Sequence, residues 1–333
     1  IMTNKTISNK KPILKHKNNK KRNNQKKKYR LKNWSEYNEA LKQRGSLTVW
    51  LDSQVLDNWR AKPTGKQGSP PVYTDLAIKL TLQFGKVFGQ KLRQTEGLLI
   101  SLFSLMKINL KVPDYSTLSR RGGQVKIKLE KNQKDKVVLI VDSTGLKVYG
   151  EGEWKVRQHG ISKRRTWRKI HLAITPDGEL RAIALTDNKV SDDEASGELI
   201  DQESAEIESL AGDGGYDKRK VYNKCQQRKV KKILIPPQKN AKIWQHGNCK
   251  APPHPRDENL RQIRKSSRNN WKQSTGYHIR SLAETAMFRF KTILGDKLNA
   301  RNFKQQLTEV LISANILNKM TRLGRPNSYA IAY

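Results

Sequence analysis

The 333-residue sequence predicts an α/β fold, a mixed five-stranded sheet with helices, preceded by an all-helical region. Three observations predict it. Between residues 34 and 121, apolar side chains recur at three- and four-residue steps, the helical period. Past Lys136 the pattern changes to short β-branched runs and strict alternation, in the order three strands, helix, strand, helix, strand, insertion, helix. Two of the apolar runs end in a lone acid, Asp142 and Asp213, at the carboxyl ends of strands where α/β folds gather their ligands.

The elements follow in chain order. Residues 1 to 33 form a Lys- and Asn-rich leader, "NKKPILKHKNNKKRNNQKKKYRLK" over most of its length, too charged and too poor in apolar residues to fold alone. Trp34, Tyr37 and Leu41 share a helix face, with Gly45 as its stop. After the loop "KPTGKQGSPP", Thr74-Asp75 caps a helix with the stripe Leu76, Leu80, Phe84 and Val87. Leu92 to Met106 is a second long helix. "VPDYSTLSRR" reads equally as a short DNA-reading helix or a plain helical corner. The helical region spans 34–130 and the α/β region 131–333. There "VVLIVDST" is a buried strand, and "WRKIHLAITPDGELRAIALTD" is a hairpin turning at Pro176-Asp177-Gly178. Ser191-x-x-Glu194 is a capping box that opens a helix. "IESLAGDGGYD" is a fourth strand ending in a Gly-rich loop, Lys218 to Val230 a basic helix, and "KKILIPP" a fifth strand. Residues 238–275 read as a basic insertion of little periodicity, and a long helix begins near Gly276.

The formal net charge is +37. The first 32 residues hold 13 Lys or Arg and no acid, and cations still outnumber acids in the remainder. Such a field selects polyanionic partners, and nucleic acid above all. Cys225 and Cys249 are too few for a disulfide framework and fit a reducing cytoplasm. No apolar run approaches the ~20 residues needed to span a bilayer, and the basic leader lacks a signal-peptide core.

In the last long helix, Ile279, Leu282, Ala283, Ala286, Met287, Phe290, Ile293 and Leu294 make an ordinary core stripe. Tyr277, Arg280, Glu284 and Lys291 fall within roughly 60° of one another on a different face, at about 100° per residue. The lone acid of this segment thus lies on one line with a phenol and two cations. With Asp142 and Asp213 it makes three carboxylates from two strand ends and one helix. Each Mg²⁺ takes oxygen ligands, and two ions roughly 3.5–4 Å apart can clamp the attacking and leaving oxygens of a phosphoryl transfer.

Tyr277, Arg280, Glu284 and Lys291 fit Y-x2-R-x3-E-x6-K, and the segment resembles the signature of the DDE transposases of bacterial insertion sequences. "VVLIVDSTGLKVYG", "WRKIHLAI", "AGDGGYD" and "LNARNFKQQLTEVLISANILNKM" are similar to insertion-sequence family five, over roughly residues 34 to 325. The resemblance implies an RNase H-like catalytic domain in which Asp142, Asp213 and Glu284 are the catalytic and metal-binding triad. It implies two Mg²⁺ per site, with Mn²⁺ as a substitute, and DNA contacts from Tyr277, Arg280 and Lys291. The reaction implied is hydrolysis at the element end, freeing a 3′-hydroxyl that attacks target DNA. The partners implied are double-stranded DNA, as terminal inverted repeats and as target, and a second copy of the chain in the synaptic complex. The helical region would bind the repeats. No membrane is involved, and the expected location is the bacterial cytoplasm, on the nucleoid. The Lys/Asn leader has no counterpart in the family pattern.

Other features weigh less. Lys163, Arg164, Arg165 and Arg168 are expected to meet DNA phosphates, against the alternative of a solvated basic hairpin. Trp167 either stacks on an unpaired base or packs in the core. His246, Cys249 and His254 lack the regular spacing of a zinc site. Asp192, Asp193 and Glu194 are explained by helix capping and the helix dipole. Two rivals to a transposase remain: a silent DNA-binding protein, and an RNase H-like nuclease without strand transfer.

Overall fold

The computed structural model describes residues 28–51, 53–62, 71–148, 167–246 and 252–331. The first described element is β1 (Tyr29–Leu31), which pairs antiparallel with β8 (Ser328–Ala330) through Arg30↔Tyr329. Composition alone assigned Tyr29–Leu31 to the disordered leader; a partner some 300 residues away orders it instead.

The helical region contains α1 (Trp34–Gln43), the short α2 (Leu47–Trp50) and α3 (Ser53–Asp57), α4 (Asp75–Val87), α5 (Leu92–Leu105) and α6 (Tyr115–Arg121). Thr74 caps α4 as expected, its hydroxyl accepting from the Ala77 amide at 3.2 Å. The buried stripe of α4 is shifted from the expected one: Ala77, Ile78, Leu80, Thr81 and Phe84 are inside, and Leu76 is exposed. Trp34 and Leu41 of α1 are exposed too, and Ala40 is the buried residue of that helix. In α6 the caps are strong, with the Asp114 carboxylate accepting from Ser116 and Thr117 amides, both at 2.9 Å, and Leu118 seated inward.

The second region is a mixed sheet of β2 (Lys136–Val148), β3 (Trp167–Ile174), β4 (Leu180–Asp187), β5 (Glu206–Ala211) and β6 (Lys232–Leu234), in the spatial order β4-β3-β2-β5-β6. The first three run antiparallel to one another, and β5 and β6 are added in parallel beside β2. A two-residue β7 (Lys297–Leu298) pairs with the far end of β2. Parallel additions need crossovers. These are α7 (Asp192–Asp201) and α8 (Arg219–Gln227). This order, three antiparallel strands and then helix-connected parallel ones, is consistent with the RNase H-like expectation.

Side-chain alternation divides the core. Val137, Leu139 and Val141 face α7 and α8, with Leu199, Tyr216, Val221 and Cys225. Ile140 and Leu146 face α11 (Ser281–Leu294) and α12 (Phe303–Leu323), with Ala286, Phe290 and Ile316. That second cluster continues into the helical region through Trp59, Phe84 and Leu99. Two buried asparagines of α12 bind backbone: Asn315 donates to Lys128 O and Asn318 to Glu130 O, each at 2.9 Å. Buried amides remain in a helix only when so paired.

Three expectations are corrected. Asp142 does not close its strand, because β3 pairs β2 as far as Lys147↔Trp167 and carries it on. The long helix does not begin at Gly276. That residue adopts φ +74°, a left-handed turn that glycine tolerates, a 3-10 turn covers Tyr277–Arg280, and α11 starts at Ser281. The stretch 238–275 is not aperiodic insertion throughout, for it contains α9 (Pro255–Lys265) and α10 (Arg268–Thr275). α9 buries mainly polar groups, with Arg256 gripping Asp217 at 2.6 and 3.0 Å and Asn259 donating to Ile233 O, whereas α10 buries the single aromatic Trp271. Among the described residues no helix is long and apolar enough to cross a membrane.

Beneath the first strands, Arg181 forms a bidentate pair with Glu203 at 2.7 and 2.9 Å and reaches Glu179 at 3.2 Å, all three being almost fully buried. Removing one partner of such a set strands the other charges. Arg181→Met is expected to lower unfolding free energy by about 3–5 kcal/mol, read from urea titrations.

Candidate active site

Asp142 and Asp213 meet because β5 stops early. Its last pair with β2 is Ile140↔Ala211, so the chain turns away through Gly212 just where β2 reaches Asp142. Gly212 is there for closeness rather than for backbone angle: its φ is not positive, but a Cβ would lie 3.0 Å from the Tyr216 ring and 3.1 Å from Val141. Open backbone angles are not needed at Gly214 or Gly215 either. Asp213 then caps a short 3-10 turn, its Oδ1 accepting from the Gly215 amide at 2.8 Å.

The strand pleat points Asp142 to the side of the sheet that α11 covers. Its Oδ1 accepts from the Ser143 amide at 2.9 Å, and its Oδ2 accepts from Arg280 Nη1 at 3.0 Å. The other end of the same guanidinium donates to Glu284. Arg280 therefore bridges two of the three acids. Glu284 is 61% exposed and Asp142 14%, so the pair spans the site from open rim to sheet. Lys291, two turns along α11, donates to Thr144 Oγ1 at 2.6 Å. Thr144 lies on the Asp142 side of β2, one alternation further on.

Charge and burial act together here. Desolvation pushes the Asp142 carboxyl above the usual range, and nearby Asp213 adds to this, against the opposing pull of the Ser143 amide and Arg280. Burial works against the Arg280 charge, yet Asp142, Tyr277 and Glu284 hold its pKa above the ordinary value.

Tyr277, expected on the polar line as a DNA contact, is buried instead. Its ring is buried, 5.5 Å from Trp271 with Lys272 5.5 Å from the ring centre, and burial pushes the phenol up to about 12. Arg168 is engaged by Asp187, by Gln306 at 2.9 Å and by the Phe303 ring, so it ties β3 to α12. Lys163, Arg164 and Arg165 lie outside the described residues. The geometry thus joins Asp142 and Glu284 through Arg280, sets Asp213 near Asp142 and Lys291 on Thr144, and buries Tyr277 against Trp271.

As a donor set, three carboxylates suit a hard divalent cation. No three of the described His, Cys, Asp or Glu side chains stand close enough to hold an ion jointly. The Arg280 guanidinium fills the position between Asp142 and Glu284, and a cation there would replace one positive charge with another. The His254 ring, once a weak zinc candidate, caps α9 and packs on Trp244 and Tyr222. A separate cavity of about 460 Å³ between α4, α5 and α12 is lined by Lys86, Thr95, Arg301 and Glu309, and none of the three acids borders it.

Sequence reasoning missed Ser143, Thr144, Lys169 and His171, and read Asp192 only as a helix-start acid. The register Ser143↔His171 brings them to the site, and the alternation of β2 is the signal that could have found Ser143 and Thr144.

Two family profiles, each described as a transposase DDE domain, match residues 42–151 and 133–319. The second spans more than half of the chain and includes all three acids, both aspartate-bearing strand regions and the Arg280–Lys291 segment. On these grounds the chain belongs to the family of enzymes that carry the transposase DDE domain.

Proposed function

We propose that this chain is a transposase of the insertion-sequence family five type, which cuts DNA at the terminal inverted repeats of its element and joins the freed end to target DNA. Asp142, Asp213 and Glu284 are the ligands of two Mg²⁺ ions in this reading, with Mn²⁺ able to substitute. The observation that carries it is the cation already bridged between two of the acids: Arg280 on Asp142 and Glu284, beside an Asp213 loop brought close by the early end of β5.

The bound ions supply Lewis-acid stabilisation of the attacking and leaving oxygens. The protein's own groups do the rest. Water attacks phosphorus at the element end, the P–O3′ bond breaks, and a 3′-hydroxyl leaves. That hydroxyl then attacks a target phosphodiester, making one P–O3′ bond as another breaks, so the transfer needs no outside energy source. Arg280, once released from the acids, and Lys291 face the phosphate backbone with positive charge, offsetting the repulsion between a carboxylate site and DNA. Tyr277 supports the turn that aims Arg280. The helical region 34–130 binds the repeats in this reading, region 131–333 carries the chemistry, and two copies act together at the paired ends.

Asp142→Asn, Asp213→Asn and Glu284→Gln are each expected to cut Mg²⁺- or Mn²⁺-dependent nicking of an inverted-repeat duplex by at least about 100-fold, with gel-shift binding of the same duplex retained. Wild-type nicking by these variants would overturn the triad. Joined donor–target product distinguishes transposition from simple hydrolysis, and binding without any cutting by the wild type would leave a DNA-binding protein.

The raised Asp142 pKa also carries a stability signature. A carboxyl whose folded pKa exceeds its unfolded value of about 3.9 favours folding below that value, and the benefit is lost as pH rises through the folded pKa. The amide introduced by Asp142→Asn carries no charge at any pH. Thermal unfolding in chelator at about pH 4 and pH 7 should therefore show Asp142→Asn gaining on the wild type as pH rises, and an unchanged difference would contradict the cost assigned to burying this charge.

A further inference from the structure

Asp192 opens α7, but the capping box there is complete without its side chain. The Ser191 amide donates to Glu194 at 3.0 Å, and the Ser191 hydroxyl receives the amide of Glu194 in return. The Asp192 carboxylate turns to the sheet instead. Ser143 Oγ donates to its Oδ1 at 2.6 Å, and Lys169 Nζ lies 2.7 Å from the same oxygen.

A second observation points the same way. His171 is fully buried in β3 and its Nδ1 has no hydrogen-bond partner, yet it faces Asp192 Oδ1 at 3.6 Å. Its Nε2 is 2.9 Å from Thr186 Oγ1. The Thr186 hydroxyl donates to the Asp187 carbonyl at 3.1 Å, so it accepts from Nε2–H of the neutral ring and leaves Nδ1 as the unprotonated nitrogen. A buried imidazole nitrogen left without a full partner is costly. Here it is a buried acceptor left unpaired beside the Asp192 carboxylate.

Among the described residues, these contacts all fall on Oδ1. Oδ2 faces the Asp213 loop. A Cβ at Gly215 would lie 2.9 Å from Asp213 Oδ1 and 3.7 Å from Asp192 Oδ2, so the missing side chain keeps the space between the two carboxylates open. Meanwhile Ser143, held by Asp192 through its hydroxyl, holds Asp142 Oδ1 through its amide at 2.9 Å. Asp142 points to the α11 side of the sheet and Ser143 to the α7 side. Asp192 therefore reaches both aspartates from the face opposite Glu284.

We infer that Asp192 is a positioning carboxylate of the reaction site. Through Ser143 it fixes the orientation of Asp142, and its Oδ2, on the side of the Asp213 loop, would add negative charge beside a divalent cation held by Asp142 and Asp213. Groups that orient metal ligands in this way commonly control affinity by ten- to a hundredfold. The inference rests on the reading of Asp142 and Asp213 as cation ligands.

The test is Mn²⁺ binding by the full chain without DNA, followed by electron paramagnetic resonance and calorimetry. Asp192→Asn should weaken binding about tenfold, and Ser143→Ala should weaken it in the same direction while leaving the helix start untouched. Glu194→Gln, which loosens the same helix turn, should bind Mn²⁺ as the wild type does. In nicking assays Asp192→Asn should raise the half-saturating Mn²⁺ concentration by a similar factor, a shift that general loosening of the fold would not confine to the metal. If Asp192→Asn does not fold, Ser143→Ala carries the test alone. Wild-type Mn²⁺ affinity in both variants, with affinity lost in Asp142→Asn and Asp213→Asn, overturns this inference and spares the triad. Wild-type affinity in all four variants overturns the triad, and this inference with it.

Discussion

The parallel ladder between β2 and β5 ends at Ile140↔Ala211, while the antiparallel ladder on the other side of β2 continues for seven more residues, to Lys147↔Trp167. β2 thus pairs with β5 over its first part and with β3 over the rest, the two ladders overlapping only at Ile140, and β7 lies beside its far end. Asp142 sits at the change. A carboxylate inside a fully paired and covered strand would carry a large desolvation cost, and one on a free loop would lack orientation. Here it has strand rigidity on one side and an opening on the other. The Asp213 loop, the 3-10 turn with Arg280 and the first turn of α11 all converge on that opening.

Electrostatics follow from this placement. Carboxylates of like sign collected at the end of a sheet repel one another, and the Arg280 bridge relieves that repulsion in the cation-free protein. The same arrangement reconciles an acidic centre with a chain of net charge +37. The field far from the centre is positive, as suits a DNA-binding family, whereas the centre itself gathers carboxylates. Lys291 marks the border between the two, anchored on Thr144 beside the acids.

Much of this was legible in the sequence. The strand order showed in the change from a helical period to alternation, and Glu284 stood out because its neighbours formed an apolar stripe on another face. What was not legible depended on partners distant in the chain. Asp142 looked like a strand end because Asp is a poor strand residue, and only pairing with β3 shows the strand running on. Tyr277 looked like part of a polar line contacting DNA, but Trp271, in a segment without apolar periodicity, covers it. Helix α9 was hidden because its buried contacts are largely Arg256–Asp217 and Asn259, and α10 because it buries one aromatic, Trp271, rather than an apolar stripe. Asp192 satisfied a local helix-start pattern so well that nothing in its neighbourhood pointed to Ser143, nearly fifty residues earlier.

The alternation of β2 couples chemical competence to foldedness. Asp142 and Ser143 are adjacent and face opposite layers, so a slip of one residue against β3 would exchange them. The carboxylate would then enter the layer that holds Val141, Tyr216 and Leu210, and Val141 would leave it. A misregistered chain would lose its site and, by the same movement, bury an unpaired charge and expose apolar surface. Such a molecule is open to proteolysis before it ever meets DNA, so the proteins that persist in a cell are drawn from those whose register, and hence whose cutting centre, is correct.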